Sequence, residues 1–480
     1  MSPQAGTLTR ARSALRSGDF RKLLLIRLTG QGGDGVFQAA LVASVVFNPD
    51  QQNTARGLLA ASVVTIVPFT LIGPFVGVFI DRWPRRRILT IAPLLKIAVV
   101  PLALFDPLHW PTKIFFYAGV LAVLSINRFQ LSAASAVVPR LVPAEDLLTA
   151  NAVATVGGTL SLLAGAFIGG HITDAVGSAI VVLIAAGAWL TASLIAGRIS
   201  SDLAPMVVEE SPELLRHAVR RIFFETADGA RTMFRTPHAI GPIASIGLDQ
   251  VGQGIMLTLA LVVFREELGE GVSSFSNLLL AGGIGVLIGI ATGGYLENIL
   301  LKERIVSLGF LVGGLTLIGA TVAVEGPVIL FVAGVLGLTF AWKKIAVDTM
   351  VQESLPDGFR GRVFSVYDVI YNLARIVAAV IAVLTFPVLT PAWMMIVVGV
   401  AFLLWTPVLP WLVSHRPQID LHMDPAGVPT SLEWGAASEP VTVLAASPLG
   451  YRLELEDGSV IDVRKAAKAP GWTVLREREG

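Results

Sequence analysis

Long apolar runs separated by short polar breaks dominate this chain. Taking about 20 apolar residues as one crossing of a bilayer, twelve such runs begin near residues 23, 57, 88, 114, 150, 177, 240, 271, 305, 327, 363 and 391. The breaks are short except after the sixth run, where residues 198–237 are polar and contain PELLRHAVRRIFFETADGARTMF. Its apolar positions recur at helical spacing, which predicts an amphipathic helix lying against the membrane surface. Beyond His415 the pattern changes to a period of two. YRLELEDGSVIDVRK alternates on either side of Asp457-Gly458, a hairpin signal, and VTVLAA and WTVLRE are further strand candidates.

Composition agrees with the pattern. Of 480 residues, 54% are hydrophobic and 15% charged, against roughly 25% charged in an average soluble domain. The absence of cysteine excludes disulfides, thiolate metal sites and cysteine nucleophiles. The N-terminus is polar and basic without a short apolar core, so no cleaved signal peptide is expected. Charge orients the spans: Arg10, Arg12, Arg16, Arg21 and Lys22, then Arg82 with Arg85 to Arg87, Arg140, the arginines of the long linker, Lys302 with Arg304, and Arg360 with Arg362 fall on one side. Only Arg56, Lys113 and Arg265 fall on the other. Both termini, the basic hinge at Arg82 to Arg87 and the linker are therefore expected in the cytoplasm.

The two halves repeat. At a shift near 215, Asp34 and Gln38 fall on Asp249 and Gln253; at 216, Gly77 and Asp81 fall on Gly293 and Glu297; at 213, Pro143 falls on Pro356. A duplicated six-helix unit places a site between its halves near the membrane midplane. The expected fold is an all-α polytopic membrane protein, with twelve transmembrane helices in two pseudo-symmetric six-helix bundles and a small β-rich cytoplasmic tail. The domains are residues 1–197, a linker at 198–237, residues 238–413, and the tail at 414–480.

Ionisable groups within the hydrocarbon usually face a cavity or a partner. Arg27, Gln31, Asp34 and Gln38 share one helical face of the first span; Ser245, Asp249 and Gln253 repeat it in the seventh, and Asp368, Asn372 and Arg375 line up in the eleventh. Arg128 in the fourth span and Lys343 in the tenth occupy corresponding positions. By depth Asp34, Arg128 and Arg375 are near the midplane, whereas Arg27, Lys96 and Asp368 sit closer to the cytoplasmic ends, within snorkelling reach. Asp34 and Asp249 are the candidate proton-coupling acids, Asp34 with Arg128 or Arg27 as its counter-ion. Arg27, Gln31, Gln38, Arg128, Gln253, Asn372 and Arg375 are the candidate cavity residues, and Arg375 is expected to pair with Asp368 or an acid of another helix.

Between the second and third runs lies GVFIDRWPRRR, Gly77 to Arg87. Gly77 permits a close helix approach, and Asp81 can meet a helix N-terminus or an arginine; a plain topology marker would explain the arginines but not that spacing. Twelve spans in two halves with this loop resemble the major facilitator superfamily, whose signature there is close to G-x-x-x-D-R-x-G-R-R; Pro84 departs from it. FRKLLLIRLTGQGGDGVFQ, PRLVPAEDLLTANAV and SLPDGFRGRVFSV are similar to the bacterial efflux branch that holds the enterobactin exporter and macrolide efflux proteins. GAFIGG, Gly165 to Gly170, resembles the antiporter signature of the fifth span with Ala166 in its proline position, and its glycines equally form a smooth packing face.

The resemblance implies that Asp81, with Gly77, Arg82 and Arg86, closes the cytoplasmic side against the start of the eleventh span. Arg140 is added as a gating partner by position, and Glu297 by repeat. The resulting expectation is a monomeric secondary transporter working by alternating access, exporting an amphipathic small molecule such as a drug, macrolide or siderophore-like compound in exchange for protons. Its partners are that substrate and the lipid bilayer, not nucleic acid. No catalytic residue, metal site or cofactor is expected: there is no phosphate-binding loop for ATP, and the six histidines lack metal-ligand spacing. An importer or lipid flippase on the same scaffold, and a membrane sensor signalling through the β tail, are the alternatives.

Overall fold

The computed structural model describes residues 12–45, 83–105, 109, 112–143, 146–200, 237–264, 271–353, 357–386, 388–413, 420–425, 427–434, 437–447, 450–455, 460–465 and 472–478. Among these, ten helices are long and apolar enough to cross a membrane. They are the third to the twelfth spans of the sequence pattern. The first span is a 28-residue helix, Gly18–Val45. At 1.5 Å per residue it also reaches across a bilayer, and it falls short in hydropathy because of the polar face that carries Arg27 and Asp34. The second run and the amphipathic linker lie outside the described residues.

The remaining spans are Arg85–Val99, Thr112–Val137, Leu147–Val176 and Ser178–Ala196 in the first half, with a short 3-10 turn extending the third to Leu104. In the second half they are Pro237–Val262, Val272–Ile299, Lys302–Gly319, Gly326–Glu353, Asp357–Thr385 and Pro391–Trp405. Corresponding pairs meet in both halves: first with fifth and seventh with eleventh, third with fourth and ninth with tenth, third with sixth and ninth with twelfth. The repeat is not strict. The first span lies closely along the sixth, while the seventh leans instead toward the tenth.

Small residues set the closest approaches. A Cβ at Gly165 would stand 2.1 Å from the Gly32 carbonyl oxygen, and one at Gly35 would stand 2.0 Å from that of Leu162, so the first and fifth spans touch backbone to backbone. Gly169 faces Val36 in the same seam, but Gly170 faces Ser276 of the eighth span, across the two halves. The GAFIGG run is thus a packing surface on two sides. Gly165→Val should destabilise by more than the ~1–3 kcal/mol of ordinary overpacking, because the obstacle is backbone and cannot rotate away. Size-exclusion recovery and melting of the detergent-solubilised variant would check this.

The apolar interior is divided unequally. One cluster joins Val36, Phe37, Ala40 and Val45 of the first span to Leu261, Val262 and Phe264 of the seventh and to Phe275 and Leu278 of the eighth, so the two halves share a core at that end. The other two clusters each stay within one half: one around Phe20, Leu23, Ile88 and Val137 at the side expected to face the cytoplasm, the other running the depth of the second half from Ile246, Val306, Val347 and Tyr367 to Leu317, Ala320 and Met394.

After the last span come seven strands in two antiparallel sheets, ordered β1-β2-β3 (Asp420–Met423, Pro429–Trp434, Ala437–Pro440) and β4-β5-β6-β7 (Thr442–Ser447, Gly450–Glu454, Val460–Lys465, Trp472–Arg478). Leu453 pairs with Ile461 and Glu454 with Val460 on either side of the Asp457-Gly458 turn signal. Leu432, Leu453, Ile461 and Val463 form a small core. The expected hairpin is present as β5-β6, flanked by the expected strands β4 and β7, and β1 to β3 form a second sheet that the alternation did not indicate.

Candidate functional site

Helical spacing puts the first span's polar residues on one face, and packing turns the middle of that face inward. Asp34, 4% exposed, accepts at Oδ1 from Lys96 Nζ of the third span at 2.8 Å and from Trp189 Nε1 of the sixth at 2.9 Å. Lys96 has no exposed surface, reaches Asn127 Oδ1 at 3.5 Å, and stands 4.8 Å from the centre of the Trp189 ring. It does not snorkel. Its long side chain reaches across from the third span to the carboxylate of the first. The counter-ion of Asp34 is Lys96, not Arg128 or Arg27.

The second half holds the corresponding acid differently. Asp249, fully buried, forms an ion pair with Lys343 of the tenth span and accepts from Gln253 Nε2 at 3.0 Å. Lys343 and Asp249 Oδ1 meet as charges without the alignment of a hydrogen bond. The ammonium packs against Phe310 and Phe402, which stand edge to face with each other, at 4.6 and 4.9 Å from their ring centres. Gly309 leaves room for the stem, since a Cβ there would lie 2.8 Å from Lys343 Cγ. Cation–π attraction supports a desolvated ammonium in such a slot.

Lys343 is the repeat partner of Arg128, yet Asp34 takes its ion pair from Lys96. Asp368 of the eleventh span lies in the electrostatic field of both Arg128 and Lys344, one cation from each half. Lys344 itself bonds Asp348 Oδ1 at 2.6 Å, and Tyr367 donates to the same oxygen at 2.8 Å. Trp189 and Trp405 also correspond, at a shift of 216. Trp405 Nε1 donates to Ser245 Oγ at 2.9 Å, one turn before Asp249.

Two cavities adjoin these pairs. The larger, about 550 Å³, is lined mainly by apolar residues of the seventh, eighth and tenth spans, together with Thr155 and Thr159 of the fifth and Gln253, Tyr371 and Arg375. That volume suits a drug-sized molecule. The smaller, about 20 Å³, lies beside Arg27, Gln31, Asp34, Asn127 and Gln130 and is the size of a water. Arg27 is buried and donates to Ser135 Oγ at 2.9 Å. Gln38, Arg128 and Asn372 line neither cavity; Asn372 donates to the Asp368 carbonyl at 2.7 Å. Arg375 makes no ion pair among the described residues, so the expected pairing with Asp368 does not form.

Gly77, Asp81 and Arg82 lie outside the described residues. Arg86 is exposed and donates to the Gly197 carbonyl at the end of the sixth span. Arg140 is half-buried and Glu297 exposed. Lys302, the repeat match of Arg86, pairs with Glu353. Among the described residues no histidine or acid cluster could hold a metal.

At the end where the halves share a core, sequence reasoning missed a contact. Asp174, closing the fifth span, accepts from the backbone N–H of Val272 at 3.0 Å and of Ser273 at 2.9 Å. It caps the eighth helix from the other half, answering both its free donors and its positive dipole end. The only local signal was an acid on the face where basic residues are scarce.

Comparison with known proteins agrees with this architecture. The sequence model of the transmembrane secretion effector family matches residues 10–406. An uncharacterized MFS-type transporter of Mycobacterium tuberculosis is 28% identical, covering 83% of this chain and 92% of its own length. Macrolide efflux protein A of Streptococcus pyogenes is 24% identical, over 74% and 87%. Among solved structures, a peptide transporter POT superposes with a TM-score of 0.65 at 13% identity, over 83% of this chain and 94% of its own. A POT family transporter with a bound thioalcohol-conjugated peptide gives 0.62 at 14%, over 82% and 96%. With its helices, its internal repeat and its buried charge pairs on the page, the chain belongs to the transmembrane secretion effector family of the major facilitator superfamily, transporters rather than enzymes.

Proposed function

We propose that this transporter exports an amphipathic small molecule across a bacterial cytoplasmic membrane in exchange for protons, with Asp34 and Asp249 as the coupling acids. The observation that carries the reading is the pair of fully buried aspartate–lysine contacts, Asp34–Lys96 and Asp249–Lys343, at repeat-related acids. A buried ion pair repays its desolvation poorly. In a protein that must move, it gains a use: protonating the carboxylate releases the lysine and lets the helices that carry them part. Asp249 connects to the large cavity through Gln253, which bonds the acid and lines the wall, so occupancy and protonation share one hydrogen-bonded path.

Asymmetry between the repeats supports alternating access. The core shared between the halves at one end, where Asp174 of the fifth span caps the eighth helix, supports a state closed on that face, with Asp174 as its latch. Asp81, Gly77 and Arg82, with Arg86, Arg140 and Glu297, are the proposed counterparts that close the cytoplasmic face. Export is favoured by the likeness to a macrolide efflux protein, and cytoplasmic termini by the distribution of lysine and arginine.

Everted vesicles holding the chain should accumulate dansyl-labelled amphiphiles when their lumen is acidified, and release them on adding a protonophore. Vesicles without the chain are the baseline. Accumulation insensitive to the protonophore would sink the coupling, and accumulation confined to right-side-out vesicles would reverse the direction.

A further inference from the structure

Within the spans the cations outnumber the acids. Arg27, Lys96, Arg128, Lys343, Lys344 and Arg375 face Asp34, Asp249, Asp348 and Asp368, six against four. Asp34, Asp249 and Asp348 form ion pairs with Lys96, Lys343 and Lys344, while Asp368 lies in the electrostatic field of Arg128 and Lys344 and makes no ion pair with Arg375. Residues 57–80 contain no ionisable side chain. Among the described residues two guanidinium groups are left over, one in each half. Arg27 is answered by Ser135 and borders a cavity too small for more than water. Arg375 borders the cavity of about 550 Å³.

A guanidinium cannot shed its charge within the accessible pH range and presents a planar fork of donors. Among the described residues of the wall, mostly Leu, Val, Ile and Gly, Arg375 is the single charged group. Such a site favours an apolar body ending in a carboxylate or sulfonate, which both neutralises the arginine and fills its fork. It disfavours an ammonium, which would meet a like charge with no acid on the wall to offset it. Tyr371, one turn away on the same helix, and Gln253 supply neutral polar groups beside it.

We infer that the large cavity selects anionic amphiphiles, with Arg375 as the specificity-determining residue that takes the acidic head. This rests on reading the cavity as the transport site. It also separates this chain from an exporter of amine-bearing drugs, because the charge at the decisive position has the wrong sign for them.

The test is equilibrium binding to the purified full-length chain in nanodiscs, with no gradient imposed. Two probes share one apolar body: 11-(dansylamino)undecanoate and its ammonium counterpart, mono-dansylated 1,11-diaminoundecane, followed by dansyl emission and corrected with empty nanodiscs. The carboxylate should bind at least ~10-fold tighter than the amine. Arg375→Gln should bring the two within ~2-fold of each other, and Arg375→Lys should keep the acid preferred. Equal or tighter binding of the amine to the unaltered chain overturns the proposal, as does an acid preference that survives Arg375→Gln. If that variant fails to fold, the unaltered chain and Arg375→Lys still decide. Selective binding without gradient-driven uptake would refute the proton coupling alone, whereas gradient-driven uptake of the amine but not the acid would refute this inference alone.

Discussion

Asp34→Asn is expected to abolish proton-driven accumulation while leaving amphiphile binding within several-fold of the unaltered chain. Asparagine has the same shape, and its carbonyl oxygen can still accept from Trp189 Nε1, now 2.9 Å from the carboxylate, so the contact between the first and sixth spans survives. Lys96 then faces a neutral amide rather than a charge, and the proton carrier is gone. The large cavity keeps its walls, because Asp34 borders the small cavity instead. Counterflow, in which labelled and unlabelled amphiphile exchange with no gradient, should persist in the variant. Normal uphill pumping would disqualify Asp34 as coupling acid and move the role to Asp249.

The expectation is sharpened by how unequal the two acids are. Asp34 adjoins a cavity of about 20 Å³ lined by Gln31, Asn127 and Gln130, room for one water to hand on a proton. Asp249 is held by Lys343 and Gln253, and the glutamine also lines the large cavity. On the proposed reading, the proton enters at Asp34 and Asp249 senses the substrate. Asp249→Asn should therefore change binding more than Asp34→Asn does.

Much of the fold was legible because one physical constraint, satisfying the backbone within a bilayer, writes itself into run length. The third to twelfth spans stand where the apolar runs put them, and the repeat was visible through Asp34 with Asp249 and Arg128 with Lys343. Its breakdown was not. Nothing within 62 residues of sequence says that Lys96 meets Asp34, since that contact depends on the angle at which the third span crosses the first. Repeat symmetry pointed to Arg128 instead, and it holds in the second half, where Lys343 takes Asp249. In the first half Lys96 supplies the charge, and Arg128 contributes to the field at Asp368 of the other half. The aromatic slots were hidden for another reason: Trp189, Phe310 and Phe402 sit in apolar runs, where composition cannot tell a packing ring from one that carries an ammonium.

The other large effect is expected from removing a buried cation. Lys343→Met keeps an unbranched side chain, one atom shorter, with a polarisable sulfur beside Phe310 and Phe402, so most of the packing is retained. What it removes is the only cation paired with Asp249 among the described residues, leaving a carboxylate with no exposed surface and Gln253 as its remaining donor. Breaking a buried pair from one side costs about 3–5 kcal/mol, whereas replacing both charges can be neutral or stabilising. The melting temperature of the detergent-solubilised Lys343→Met chain should fall by several degrees, and the double variant Asp249→Asn with Lys343→Met should recover most of the loss. Recovery of stability without recovery of gradient-driven transport is the outcome that assigns the pair to function rather than to folding. Full transport in the double variant would instead make it a structural contact, leaving the coupling to Asp34 and Lys96 alone.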